Sequence, residues 1–558
     1  MKNQRQKNKI ILTVLSILFI LLFFKTFLNV YVIQRNDYAT RLKNNYGYCD
    51  KQGYGFVNST INKHKIKNNV RIINNYKSLG AIDALFYNFN EVYNENYLIL
   101  LNYKNNDSSI IFNNVKYEIL DNYNNQCFLV KKMIEIFAIT FQFFILHLFF
   151  STPFNLNNYK KLNLQLSLNY FDVIFCNIIL QIFILLIISF LKINLFFYFL
   201  IVLIISLITN FSFLKKKLFQ SINIYTIIFP IICLSIFFEI AHHAILDWDG
   251  LEHWFWKVNN FYQNQDIGNI NNLPLPQYPH LGSYLWSFFW KNSLFNYEYI
   301  GRLFIPYIYI VSLFSICADI KNRLYGILFI ILLLAASYDI FLFSGYQEYI
   351  TFSYICFLTK FIFLNKKNYY DKLFSYALIL IGSFCLLWIK QECFFYVIFF
   401  NFCFIFFVKN KNLEKIYFTI TLFFFIILYL LIEKNLKGNI GYQVRFDLSN
   451  LKKFKEIELI AIYIIEITKH IIIAFFKYPI LIFNIFILFF INLKIKQNNE
   501  YRFILFFFLL NFIFLYGIYF IHPSTLEEML PNTVDRLLFQ VSSIGVVFMG
   551  RWVNKISI

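Results

Sequence analysis

Between Asp247 and Lys257 the chain reads DWDGLEHWFWK, placing three carboxylates, a histidine, a lysine and three tryptophans within eleven residues. A carboxylate in such a stretch can take the proton of a hydroxyl nucleophile, and a nearby cation can stabilise a departing anion. Asp249, His253 and Lys257 follow at i, i+4 and i+8, which puts them on neighbouring parts of one helical face. An amphipathic helix over Gly250 to Tyr262, lying at a membrane interface with its aromatics as anchors, would present them. Asp249 with Glu252 three residues later also fits a helix capping box. The spacing leaves base and cap open.

Three further stretches gather polar groups at the ends of apolar runs. LPLPQYPHLGSYLWSFFW (Leu273 to Trp290) holds Tyr278 and His280 in a proline-fixed turn before an aromatic helix. SGYQEY (Ser344 to Tyr349) and WIKQEC (Trp388 to Cys393) supply Glu348, Lys390 and Glu392, which could equally be interfacial side chains reaching for water. HPSTLEEMLPNTVDRLLFQ (His522 to Gln540) brings Asp535 and Arg536 into the last span, and an arginine there needs an anionic ligand or a neighbouring carboxylate. His242, His243, Asp247, Asp249, Glu252 and His253 offer metal ligands, but without a spacing such as HExxH. No metal site or cofactor is assigned on this basis, and a divalent ion stays an alternative.

The elements that must position these residues are membrane helices. Of 558 residues 59% are hydrophobic and only 15% charged, which is a membrane composition. The 74 Phe and 40 Tyr, with abundant Ile, Asn and Lys, read as residue choice pushed by an AT-rich genome, so the Phe stripes carry no functional weight. The formal charge of +20 does not indicate nucleic acid. Its lysines and arginines sit in short clusters between apolar runs, at Lys215 to Lys217, Lys321 to Arg323, Lys366 with Lys367, and Lys409 to Lys415, as cytoplasmic loops require.

A span needs about 20 apolar residues, and that rule predicts about fourteen, at 10–30, 133–152, 171–190, 194–213, 222–241, 299–318, 324–343, 348–364, 373–389, 393–408, 416–433, 471–493, 503–521 and 536–550. The expected fold is an all-α polytopic membrane protein. Residues 1–34 read as an uncleaved signal anchor with a cytoplasmic N-terminus, 133–221 as membrane helices, and 222–558 as a membrane core with an outer loop at 242–298. Threading the chain this way puts the basic clusters inside and all four polar constellations outside. The loop from Glu433 to Lys455 is basic yet outside, which an anionic lipid headgroup would explain. Residues 35–132, with short apolar runs between Asn, Asp and Gly turns, are expected to form a small α/β extracytoplasmic domain between the first two spans. Cys49 and Cys127 lie there, whereas the other seven cysteines fall in spans, so an oxidising compartment would pair these two. Asn58 and Asn106 match glycosylation sequons, as an Asn-rich chain does by chance.

In this order the motifs resemble the C-type membrane glycosyltransferase superfamily (GT-C), in particular bacterial relatives of dolichyl-phosphate-mannose protein mannosyltransferases. WDGLEHWFWK, QYPHLG, GYQE, IKQE and DRLLFQ stand where those proteins carry WD…HW…K, a YPP-like turn, GYAD-like and TKNEG-like span ends and a late DRLLLQ. The resemblance covers roughly residues 222 to 550. Glu348 stands where Asp is commoner, Cys393 replaces a Gly, and Gln277 and His280 alter the turn. The resemblance implies transfer of a hexosyl or pentosyl group from a polyprenyl-phosphate donor to a lipid, glycan or protein acceptor, on the outer face of a bacterial inner membrane, for the cell envelope. It implies Asp249 as base, with Asp247 in reserve, and His253, Lys257, Tyr278, Glu348, Lys390, Glu392, Asp535 and Arg536 as substrate-binding residues. A transporter or flippase of a lipid-linked glycan is the alternative, since charges on several spans also mark substrate paths. A ligase or polymerase of surface glycans is a third reading.

Overall fold

The computed structural model describes residues 24–47, 54–64, 71–74, 98–101, 109–112, 115–118, 132–153, 168–191, 193–217, 223–264, 266–268, 270–273, 276, 278–294, 297–339, 343–364, 369–408, 412–435, 457–482, 499–521 and 526–556. Cys49, Cys127, Asn106, Gln277, Lys411, His522 and the basic loop after 435 lie outside these residues.

The chain folds as an α-helical membrane protein. Seven described helices are long and apolar enough to cross a membrane: Tyr170–Ser189, Ile224–His243, Glu298–Cys317, Tyr370–Leu387, Asn412–Asn435, Asn499–Phe520 and Thr533–Asn554. Other predicted spans fold as shorter apolar helices, among them Arg323–Ser337 and Cys393–Phe407. The run expected at 471–493 differs more, because a helix already occupies Ile457–Lys477. Glu466, Lys469 and His470 interrupt its apolar run and hide its start from a hydropathy reading. The last helix likewise begins ten residues before the expected 536, at Leu526, and runs to Ile556. Within 35–132 the described elements are the helices Tyr38–Tyr46 and Tyr54–His64 and two short ladders. Arg71–Asn74 pairs in parallel with Leu98–Leu101, and Ser109–Phe112 pairs antiparallel with Val115–Glu118.

Burial shows which helices are central. Asn412–Asn435 exposes Ile416, Ile420, Phe424, Ile427 and Leu431, and Leu195–Lys217 exposes Phe197, Ile201, Ile204 and Ile208. Apolar faces this broad suit a hydrocarbon solvent. Glu348–Ile362 is the opposite case, buried at every position and packed between Phe304–Cys317 and Leu526–Ile556. Its two charged residues, Glu348 and Lys360, are held about 18 Å apart along the axis. Each end therefore carries a charge that the fold must satisfy.

Candidate active site

The helix Ile224–His243 ends at Ala244, whose φ of 50° turns the chain out of the helix. The segment that follows is sewn to the loop before Glu348. Asp247 N donates to Ser344 O at 3.0 Å, and a Cβ on Gly250 would collide with that same carbonyl. Gly345, at φ +104°, faces Gly250 across this contact, so a side chain at either position would push the loops apart. Arg302 pins them from beneath, donating from Nη1 to Ile245 O at 2.8 Å and to Phe343 O at 3.0 Å, while Nη2 holds Glu298 at 3.2 Å. On the other side Gly282 lies against the Gln347 side chain, and Leu281 N donates to Trp388 O at 2.9 Å. Four stretches far apart in sequence thus meet at one place.

Gly250–Phe255 is a π-helical turn that continues into the α-helix Trp256–Asn264. Asp249 precedes it but makes no capping hydrogen bond with its side chain. Its carboxylate is instead paired with Arg536 Nη1. The capping alternative is therefore not the one adopted. From Arg536 a chain of alternating charge continues through Glu348 and Lys390 to Glu392. Arg536 Nη1 lies 3.6 Å from Glu348 Oε1, Lys390 Nζ is 2.8 Å from the same oxygen, and Glu392 Oε1 is 2.8 Å from Lys390. Gln540 Nε2 approaches Glu392 at 3.4 Å, and the Arg536 guanidinium sits 4.8 Å from the centre of the Tyr346 ring. Tyr346 also donates to Asp247 Oδ2 at 3.1 Å, which holds the second aspartate one step from the first. The row contains three carboxylates and two cations.

Not every atom of the row is occupied. Among the described residues Glu348 Oε2, Arg536 Nε, Gln540 Oε1 and His253 Nδ1 are buried with no hydrogen-bond partner. Buried polar atoms are nearly always paired, so these four are available to a ligand. His253 places Nε2 3.9 Å from Asp249 Oδ1 and packs edge-on against Trp248 and Tyr278. Burial lowers its pKa, with the Asp249 charge opposing, so the ring favours the neutral state. For Lys390 burial acts downward, but Glu348 and Glu392 more than offset it and hold the ammonium above the ordinary lysine range. Burial would raise Glu392, yet Lys390 brings it below the usual carboxylate value.

Two expected members sit apart from the row. Lys257 is fully buried, donates from Nζ to Tyr278 O at 2.8 Å and lies between the Trp254 and Tyr278 rings; burial depresses its pKa well below the usual value. Its role here is to fasten the Tyr278 turn to the helix. Asp535 points to Lys477, a partner that the sequence does not announce because Lys477 falls inside an apolar run. His280 is likewise buried, with Nε2 3.0 Å from Ser189 Oγ. Sequence reasoning missed Arg302, Lys477 and the roles of Tyr346 and Gln540, although the last two lie inside quoted motifs. No group of three or more metal-ligating side chains suited to an ion occurs among the described residues.

Comparison with protein-family models, with curated proteins and with solved structures finds no match to this chain.

Proposed function

We propose that this chain is a membrane glycosyltransferase of the GT-C type, moving a sugar from a polyprenyl-phosphate donor to a hydroxyl-bearing acceptor at the outer face of the membrane. The observation that carries the reading is the convergence of Asp249, Glu348, Lys390, Glu392 and Arg536, from four motifs, into one partly open row of charges. In the reaction the acceptor oxygen attacks the anomeric carbon and its proton passes to Asp249. The bond between that carbon and the phosphate oxygen breaks, and the electron pair leaves with the phosphate. Arg536 and Lys390 are placed to stabilise the growing negative charge, and Glu348, between them, keeps both side chains in position. Tyr278 and His253 form an aromatic wall beside Asp249 against which a sugar ring could stack. In this reading the shorter apolar helices also cross the bilayer, toward the fourteen spans that the apolar runs predict, and 35–132 forms the outer α/β domain.

The test is transfer by the purified full-length chain in vesicles loaded with radiolabelled polyprenyl-phosphate sugars and a mixed glycan, lipid and protein acceptor pool. Label that moves from the lipid to a new acceptor supports the proposal. Label that crosses the bilayer still attached to its lipid would favour a flippase.

A further inference from the structure

We infer that a cavity at the Lys360 end of the Glu348–Ile362 helix is a binding site for a group that joins a primary ammonium to a phosphodiester, as the headgroup of an aminophospholipid does. The inference goes beyond the glycosyltransferase reading and does not depend on it. The cavity measures about 200 Å³, and Asp319, Lys360, Glu500, Arg551 and Asn554 supply its polar lining. Pockets that enclose drug-sized ligands run to about 300–1,000 Å³, so this one suits a headgroup and is too small for a nucleotide or a glycan. Lys360 and Asn554 stand close to the last residues of their helices, Asp319 just beyond Cys317, and Glu500 in the first turn of Asn499–Ile521. The cavity thus lies where helices end, at the depth of polar headgroups rather than of acyl chains.

Its charges are ordered. Lys360 Nζ meets Asp172 Oδ1 and Asp319 Oδ2 at 2.7 Å each and Ser315 O at 2.6 Å, which occupies its three protons. Asp319 has more to offer. Its Oδ1 accepts from the Asn169 amide at 2.7 Å and its Oδ2 from Lys360, yet a carboxylate has about four acceptor positions, and this side chain is 37% exposed. Arg551 pairs with Glu500 through Nη1, reaches Phe363 O from Nη2 at 3.4 Å and lies over the Phe363 ring. Those two contacts engage only part of a guanidinium that carries five N–H groups. At the rim Lys321 N donates to Asn554 Oδ1 at 3.2 Å, and Lys321 and Arg323 are exposed. With Asp172 counted, three carboxylates stand against two cations around the cavity, so a lone anion would meet an excess of its own sign, while the rim is basic. A zwitterion answers both. Its ammonium donates to Asp319, and its phosphate accepts from Arg551 with Lys321 and Arg323 beside it. A choline headgroup has no N–H to donate, and a glycerol headgroup has no positive charge.

The test measures binding of short-chain phosphatidylethanolamine, phosphatidylcholine and phosphatidylglycerol to the full-length chain in detergent, by native mass spectrometry and by the lipid-dependent rise in melting temperature. Phosphatidylethanolamine should bind about tenfold more tightly than the other two, the scale of one charge-assisted hydrogen bond. Asp319→Asn should erase that preference. Because Asp319 also supports Lys360, a second variant joins two exposed changes, Lys321→Gln and Arg323→Gln; it should melt like wild type without lipid and bind phosphatidylethanolamine several-fold more weakly. Glycerophosphoethanolamine forms a soluble arm: binding much weaker than that of the lipid supports a membrane source, and equal binding supports a soluble phosphodiester in the same site. Equal affinity for the three lipids would overturn the inference, as would wild-type affinity for phosphatidylethanolamine in the rim variant. No sugar transfer is read, so failure here and failure of the glycosyltransferase reading are separate results.

Discussion

The two ends of the Glu348–Ile362 helix solve the same problem differently. At the Lys360 end, the ammonium lies 2.7 Å from Asp172 Oδ1, 2.7 Å from Asp319 Oδ2 and 2.6 Å from Ser315 O. Asp172 closes a capping box with Asn169, and the Asn169 amide donates to Ser315 O and Asp319 Oδ1, each at 2.7 Å. None of these side chains has an unpaired buried atom among the described residues. At the other end Glu348 is as deeply buried, yet four polar atoms, on Glu348, Arg536, Gln540 and His253, stay without partners among the described residues. A network whose side-chain atoms are paired with one another serves the fold, here on the wall of a cavity that Asp319 and Lys360 share with Glu500 and Arg551. An open one costs stability, and such sites are kept where function needs them.

Several changes sharpen or break this contrast, beginning with the largest. Lys360→Met strands Asp172 and Asp319 and should cost about 3–5 kcal/mol, read as a collapse of the melting temperature and of accumulation in the membrane. A variant that melts like wild type would erase the difference between the two ends. Arg302→Leu frees the Ile245 and Phe343 carbonyls and leaves Glu298 unpaired. We expect a loss of about 3 kcal/mol, with transfer falling further than the folded fraction, since the Asp249 and Glu348 loops would part.

A smaller effect follows from the Lys390 and Glu392 pair. Glu392 titrates below its unfolded value, so its contribution is full above about pH 4.3 and is lost as pH falls through the lower folded value. Lys390 titrates above its unfolded value, so its share is full below about pH 10.4 and is lost only as pH rises through the higher folded value. The melting difference between wild type and Glu392→Gln, about 1–2 kcal/mol near neutrality, should therefore shrink in acid below about pH 4. A difference that stays constant there would mean that the pair is not formed. Smallest of all, Lys257→Met should change stability by about 1 kcal/mol or less, because the lost bond to Tyr278 O is offset by removing a buried ammonium. Its transfer rate should stay within about threefold of wild type; a larger loss would return Lys257 to the site.

Much of the row around Glu348 is legible in sequence because its members stand at the ends of apolar runs, where a charge is conspicuous. Arg536 is the clearest case: an arginine entering a span calls for a carboxylate, and two meet it. Their identity depends on loop contacts that Gly250, Gly345 and Arg302 make possible, and hydropathy does not record these. The network around Lys360 is less legible still. Asp172 and Lys360 are single charges in separate apolar runs, 188 residues apart, and each alone looks like a tolerated exception. Hydropathy likewise does not separate a helix buried among its neighbours from one that faces lipid, since both have the same apolar composition.

The most direct measurement of the central claim compares Asp249→Asn with wild type for both melting temperature and transfer from a polyprenyl-phosphate sugar. The amide keeps the size of the side chain and can still cap a helix, but it does not take a proton. The account predicts a chain that accumulates and melts within a few degrees of wild type while transfer falls about 100-fold or more. Retained transfer in Asp249→Asn with a loss in Asp247→Asn would mean that the wrong aspartate was assigned. Retained transfer in both would contradict the account.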